Sequence, residues 1–424
     1  MFGVVVGRLI NRIADASYEL DGKRHKLSPN DDHGSALHGG AGPGWAHRRW
    51  DLASSTRDSA TYALRSPDGD QRFPGALDVS VTYLLRNDSL RMTMVVAADE
   101  ANREATPVNI AQHSYFNLDG HAAGPRAIKQ LRTTIDATHR AVLRADGTAL
   151  PTGAVEPVAG GPFDFHSPAK AGRALGDSWN ATTDPEPGLG YEVMFVTGNK
   201  TLAQAKGSTT RPTKLDKGPS PTRGAPAPIG CSVTKDGSPI RAARFESPCS
   251  GRTLEAWTSA PAFEIYTGNH LDPKGLFGKG WFSFFFVERE RGGGRERKEG
   301  GGERKEGGGE KEKREVRERR RKRKQNLTFF YFPIKKLETG NHEYEQGGGI
   351  ALEAQDFTDF LHHPDFPSCV LEPGQAMTRV FELRWGSVDK KKDGASSCDV
   401  KKKAAAVTAA GSDKSAVGAE EMIM

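Results

Sequence analysis

Over residues 1–197 apolar and polar positions alternate in short runs. Leu77-Asp78-Val79-Ser80-Val81-Thr82-Tyr83 and Leu90-Arg91-Met92-Thr93-Met94-Val95-Val96 are the clearest. A period of two belongs to a strand with one face buried. Asp21-Gly22, Asp68-Gly69, Asn87-Asp88 and Asp146-Gly147 separate the runs, and dipeptides of this kind adopt turns. Strand patterns return at 252–257 and 262–266. No long stretch repeats with the 3.6-residue helical period. Short, regularly spaced strands between Gly, Pro, Asn and Asp turns predict an all-β protein, a large antiparallel β-sandwich or barrel.

Three stretches depart from this pattern. Residues 198–240 are rich in Lys, Thr, Pro and Gly and read as an inserted loop. Residues 275–335 hold a Phe cluster, then Glu/Arg/Lys/Gly repeats, then the aromatic run 327–332, and read as a second insertion. Residues 386–424 are a Lys/Ala/Ser/Gly tail, expected to be disordered. One domain over 1–385 with insertions at 198–240 and 275–335 is the expected organisation.

Charge changes the picture only once it is located. A net charge of +6 and a pI of about 9.0 suggest nucleic acid. Residues 288–324, however, carry 17 Lys/Arg against 10 Glu, which leaves the rest of the chain near neutrality. The basicity thus reads as a solvated low-complexity run, and no nucleic-acid partner is expected. The four cysteines form no CxxC pair, which argues against zinc and redox motifs. The N-terminus lacks the basic region and cleavage site of a signal peptide, and the apolar run 281–287 is too short to span a bilayer. A cytoplasmic protein without a membrane partner is expected, with a monomer favoured.

A set of local motifs carries the chemistry. In chain order they are Gly7-Arg8-Leu9-Ile10-Asn11-Arg12-Ile13, Leu37-His38-Gly39-Gly40, Asp68-Gly69-Asp70-Gln71-Arg72-Phe73-Pro74-Gly75, Thr106-Pro107-Val108-Asn109 and His113-Ser114-Tyr115-Phe116-Asn117-Leu118. Pro162-Phe163-Asp164-Phe165, Tyr266-Thr267-Gly268-Asn269, Leu352-Glu353-Ala354-Gln355-Asp356-Phe357 and Pro364-Asp365-Phe366-Pro367 follow. Taken together and in this order, they resemble the aldose 1-epimerase (galactose mutarotase) family over roughly 1–197 and 241–385. The resemblance implies a galactose mutarotase-like supersandwich. Family members carry further strands before the segment that begins here at Phe2, and the chain is expected to lack these N-terminal strands.

The implied reaction exchanges the α and β anomers of a free aldohexose. A base removes the C1 hydroxyl proton, an acid protonates the ring oxygen as the C1–O5 bond breaks, and reclosure follows rotation about C1–C2. A carboxylate and an imidazole suit these roles, and the chemistry demands no metal or redox cofactor. The resemblance assigns the base to Glu353 and the acid to His113. An ordinary histidine pKa near 6.5 suits proton donation. It assigns sugar-hydroxyl contacts to Asn11 and Arg12, and a site near the ring oxygen to His38, whose two following glycines would allow close backbone approach. Without the motifs, His113 reads more readily as a buried histidine bonded to backbone, Glu353 also fits a surface carboxylate on an edge strand, and Leu37–Gly40 reads equally as a plain turn.

Three positions differ from the family pattern. Glu192 stands where an Asp-containing segment is usual, and Glu264 where a Gln is frequent; both are taken as sugar-binding. Arg72 replaces a glycine, and if that glycine needs positive φ the arginine strains the turn. Trp45, Trp50, Tyr115 and Phe116 offer faces for a sugar ring or for core packing. His362-His363 has no acidic or Cys neighbour at a metal-binding spacing, so no metal site is expected. A sugar-binding sandwich without catalysis and a hexose-6-phosphate 1-epimerase are the alternative functions.

Overall fold

The computed structural model describes residues 2–166, 172–198, 237–271, 344–367 and 369–388. The two expected insertions and the tail fall almost entirely outside them.

Two antiparallel sheets dominate, as the alternating runs predict. The first has nine strands, in the order Arg173–Ala174, Arg132–Ile135, Ile240–Glu246, Arg252–Thr258, Ala376–Ser387, Ser89–Ala98, Leu77–Leu85, Ser59–Ser66 and Asp51–Ser55. The second has six: Tyr115–Phe116, Ile350–Gln355, Ala262–Tyr266, Glu192–Val196, His139–Leu143 and Pro151–Pro157. Each sheet mixes strands from before residue 197 and after residue 240. Ile240–Glu246 begins inside the stretch read as a loop; its Ile-Arg-Ala-Ala-Arg-Phe-Glu pattern is too interrupted to stand out as a strand.

The sheets pack face to face. Val79, Val81, Met92, Met94, Phe245, Leu254 and Phe381 come from the first sheet, and Val193, Phe195, Phe263, Ile265, Leu352 and Ala354 from the second. Phe263 and Phe381 meet across the interface with ring centroids 6.5 Å apart. Together these residues form one apolar core, the largest favourable contribution to folding.

The six-stranded sheet is covered on its other face as well. All residues of Glu192–Val196 and Ile350–Gln355 are buried. Met194, Val196 and Ala262 pack there against Leu9, Ile13, Tyr18, Leu27 and Phe73. An enclosed second face is therefore available for polar groups. The N-terminal segment is anchored by close packing: a methyl group on Gly7 would lie 2.1 Å from Trp45 Cε3, so only glycine lets the fully buried indole lie against this backbone. Trp45 and Phe116 thus belong to the core rather than to a sugar surface.

Among the described residues the single α-helix is the seven-residue Gly124–Gln130, in keeping with the lack of helical periodicity. No helix there is long and apolar enough to cross a membrane.

Candidate active site

Strand alternation places three glutamates on the enclosed second face. Glu192, Glu264 and Glu353 lie on neighbouring strands, and ladder register sets Glu264 directly opposite Glu353 and Met194 opposite Glu264. Their sequence neighbours Val193, Phe263, Ile265, Leu352 and Ala354 point into the core. The apolar half of each strand thus fixes the polar half.

The N-terminal segment and the His113 strand close over this face. Val4–Val6 pairs antiparallel with Ala111–His113. His113 Nε2 then stands 3.5 Å from Glu353 Oε1, with both residues buried. The His113 ring stacks on Tyr115 and meets His38 edge-on, with centroids 5.3 and 5.5 Å away. The Asn11 N–H donates to His38 Nδ1 at 3.1 Å. Neutral His38 therefore carries its proton on Nε2, which leaves a donor on the ring beside His113. Asn11 Nδ2 donates to Glu264 Oε2 at 2.8 Å, and Arg12 Nη1 donates to Glu192 Oε1 at 3.0 Å. All seven residues singled out from the sequence, Asn11, Arg12, His38, His113, Glu192, Glu264 and Glu353, are joined in one cluster.

Backbone conformation supports the placement. Asn11 and His38 adopt φ values of +63° and +52°, the left-handed region that short polar side chains tolerate better than most. A methyl group on Gly40, which has φ +89°, would lie 2.6 Å from the Ser28 carbonyl oxygen, so only glycine lets this turn pack against that backbone. Arg72 has φ +68°, the left-handed conformation that a glycine would adopt without strain.

Burial sets the charge states. It lowers His113 to about 3 and holds His38 well below its ordinary value, so both imidazoles are neutral near pH 7. This differs from the ordinary imidazole range expected of His113, because desolvation outweighs any nearby anion. Burial, then the charge of Glu192, pushes Glu264 up to about 8. Glu353 is raised well above the carboxylate range by burial and then by Glu264. The group thus retains protons that exposed glutamates would have lost.

Two members were not singled out from the sequence. Gln355 shares the face of Glu353, and its Nε2 donates to Glu264 Oε2. The alternation Leu352-Glu353-Ala354-Gln355 contained that signal. Asp31 lies 3.6 Å from Arg12 Nε and nothing local marks it. His362 and His363 do have an acidic neighbour, contrary to the sequence reading. Asp359 Oδ1 lies 2.6 Å from His362 Nδ1 and its Oδ2 3.9 Å from His363 Nε2. Among the described residues no group of three His, Cys, Asp or Glu side chains is placed to hold a metal. A cavity of about 360 Å³ lined by Gly160, Asp164, Arg173 and Ser178 lies apart from the His113 and Glu353 cluster.

Known proteins resemble this chain in sequence and fold to different extents. A sequence profile of the aldose 1-epimerase family matches residues 1–295. Galactose mutarotase from Homo sapiens is 33% identical over 271 residues, 64% of this chain and 63% of that protein; the Sus scrofa protein is 32% identical over the same span. The chain thus spans about 63% of the length of these relatives. Aldose 1-epimerase from Escherichia coli is 32% identical over 386 residues, 90% of this chain and 79% of that protein. The fold is also that of an aldose epimerase homologue from C. elegans, with a TM-score of 0.59 at 20% identity over 92% of this chain and 83% of that one. Galactose 1-epimerase from Lactobacillus acidophilus gives 0.54 at 19% identity over 92% and 80%. With the profile covering more than half of the sequence, the chain belongs to the aldose 1-epimerase family.

Proposed function

We propose that this chain is an aldose 1-epimerase that interconverts the α and β anomers of a free aldohexose such as glucose or galactose. The observation that carries the reading is the 3.5 Å approach of His113 Nε2 to Glu353 Oε1 in an enclosed polar cluster. The O1 hydroxyl and the ring oxygen O5 are bonded to the same carbon. A base for one and an acid for the other must therefore stand side by side. Glu353 takes the O1 proton and His113 gives a proton to O5 as the C1–O5 bond breaks. After rotation about C1–C2 the same groups work in reverse, and the proton count of the pair is restored.

In the sugar-free site burial favours neutral His113 and protonated Glu353. The reactive arrangement, imidazolium and carboxylate, has the same number of protons. It is reached by moving one proton between the facing atoms. A hydroxyl-rich ring is a more polar neighbour than apolar side chains and favours that charge-separated form. In this reading Asn11, Arg12, His38, Glu192 and Glu264 hold hydroxyls, with Tyr115 beside His113 as an aromatic wall. Arg12, the cation of the cluster, is already paired with Glu192 and Asp31 and so is not free for a phosphate dianion, which supports free sugars over hexose 6-phosphates.

Polarimetry on freshly dissolved α-D-glucose and α-D-galactose tests the reading. Faster rotation change that falls about 10²–10⁴-fold in Glu353→Gln is expected. Sugar binding without acceleration would instead identify a binding protein, and preference for a 6-phosphate would reverse the substrate class.

A further inference from the structure

Three glutamates share one face, and the cation among them, Arg12, is already engaged by two carboxylates. Its Nη1 lies 3.0 Å from Glu192 and its Nε 3.6 Å from Asp31. Glu264 instead has neutral partners. Asn11 Nδ2 donates to its Oε2 at 2.8 Å and Gln355 Nε2 donates to the same oxygen. Donors converging on one carboxylate oxygen favour the ionised form. Glu353, directly opposite in the ladder, has the neutral His113 as its polar neighbour at 3.5 Å, and among the described residues no N–H donates to it. Among the described residues the remaining titratable groups facing the pair, Tyr115, Tyr266 and His38, are uncharged near neutral pH.

Opposed residues of a ladder have Cβ atoms about 4.5–5.5 Å apart, so two such carboxyls cannot ionise independently. The first charge goes to Glu264, whose surroundings donate to it. That charge then opposes loss of the proton from Glu353. We propose that Glu264 is a positioning residue for the catalytic proton, its carboxylate keeping one proton on the Glu353–His113 pair to higher pH than a neutral amide at 264 would. The burial that pushes Glu264 up to about 8 fits a pair that titrates in steps. The catalytic meaning rests on the function proposed above; the electrostatic coupling does not.

The test compares pH profiles of kcat/KM for mutarotation in wild type, Glu264→Gln and Glu264→Asp. Glutamine keeps the size of the side chain and an oxygen for Asn11 and Gln355, yet never ionises. The alkaline limb of the profile, where Glu264 carries its charge, is expected to move to lower pH in Glu264→Gln, by about one unit or more, a tenfold change in proton concentration. Glu264→Asp keeps the charge, so the limbs of its profile stay at the wild-type pH whatever its absolute rate. A lower but unshifted profile in Glu264→Gln would mean a purely structural role and overturn the proposal. A ¹³C NMR titration of carboxyl-labelled glutamate in sugar-free protein, assigned through Glu353→Gln, reads the same coupling without catalysis. Glu353 should follow two steps in wild type and one, at lower pH, in Glu264→Gln. If the amide variant does not fold, the wild-type titration decides, and a single unperturbed step for Glu353 overturns the proposal. Stepwise titration in a protein without mutarotase activity leaves the coupling intact and overturns the functional reading instead.

Discussion

Arg12→Met removes the cation on which the charge balance of the site depends. The Arg12 side chain is 15% exposed, Glu192 7% and Asp31 9%. At separations of 3.0 and 3.6 Å and an effective dielectric near 20, each carboxylate gains about 5 kcal/mol of attraction, most of which desolvation offsets. The loss on mutation is governed instead by the buried Glu192 carboxylate left without its cation, while Asp31 keeps the backbone N–H groups of His33 and Ser35. That costs about 3–5 kcal/mol, a large part of the ~5–15 kcal/mol that stabilises a domain. Glu192→Gln alone leaves Arg12 paired with Asp31 and should cost about 1–2 kcal/mol. The double variant should be more stable than the sum of the singles implies, by about 2 kcal/mol. Urea unfolding at neutral pH, with unchanged m-values as the check on two-state behaviour, measures all three. A loss below about 1 kcal/mol in Arg12→Met, or additivity within about 0.5 kcal/mol, would refute the view that Arg12 balances these carboxylates.

Other expectations follow from single features. Arg72→Gly relieves a left-handed residue and should stabilise by up to about 1 kcal/mol in the same unfolding assay. Gly7→Ala forces the buried Trp45 ring to move and should destabilise by about 1–3 kcal/mol, with altered tryptophan fluorescence. His113 is neutral in the fold, with its pKa lowered from 6.5 to about 3, so the unfolded chain binds the extra proton between those values; melting temperature should fall as pH drops from about 6.5, and less so in His113→Asn. Glu264 behaves oppositely. Its folded value near 8 against 4.5 means the folded chain holds the extra proton, so Glu264→Gln should gain melting temperature relative to wild type as pH rises from 5 to 8.

The sandwich was legible because its strands announce themselves by alternation, as at Leu77–Leu85 and Ser89–Ala98. Asn11, Arg12, His38, His113 and Glu353 were legible as candidates for another reason: each sits in a motif that resembles the family, whereas Glu192 and Glu264 were noticed as departures from its pattern. Physical reading by itself stopped short at both ends of the site. It left His113 open between core and cleft, since desolvation and proximity to Glu353 arise from strands distant in sequence. It missed Gln355, whose two-residue offset from Glu353 implies a shared face only after the segment is accepted as a strand. Asp31 was beyond reach because nothing local distinguishes a loop carboxylate that meets Arg12 from one that meets water. The strain at Arg72, by contrast, followed from one rule about glycine and φ, and the backbone there is left-handed.

The distribution of the site along the chain also explains how insertions can coexist with it. Asn11 reaches Glu264, Arg12 reaches Glu192 and His113 reaches Glu353, so each contact joins the N-terminal segment or the His113 strand to one strand of the six-stranded sheet. Roughly 80 residues separate Tyr266 from Ile350, yet Ala262–Tyr266 and Ile350–Gln355 are hydrogen-bonded neighbours that set Glu264 against Glu353. The most that closing such an interval can cost is the entropy of a structureless loop, which grows only with the logarithm of length. A fourfold extension of a short connection adds about 1.2 kcal/mol. Ladder register depends on the alternation of apolar and polar residues within the two strands, which added residues outside them do not alter. The geometry of the glutamate pair is therefore decided by those two strands and the core beneath them, and the length of the connection between them enters only as a small debit in stability.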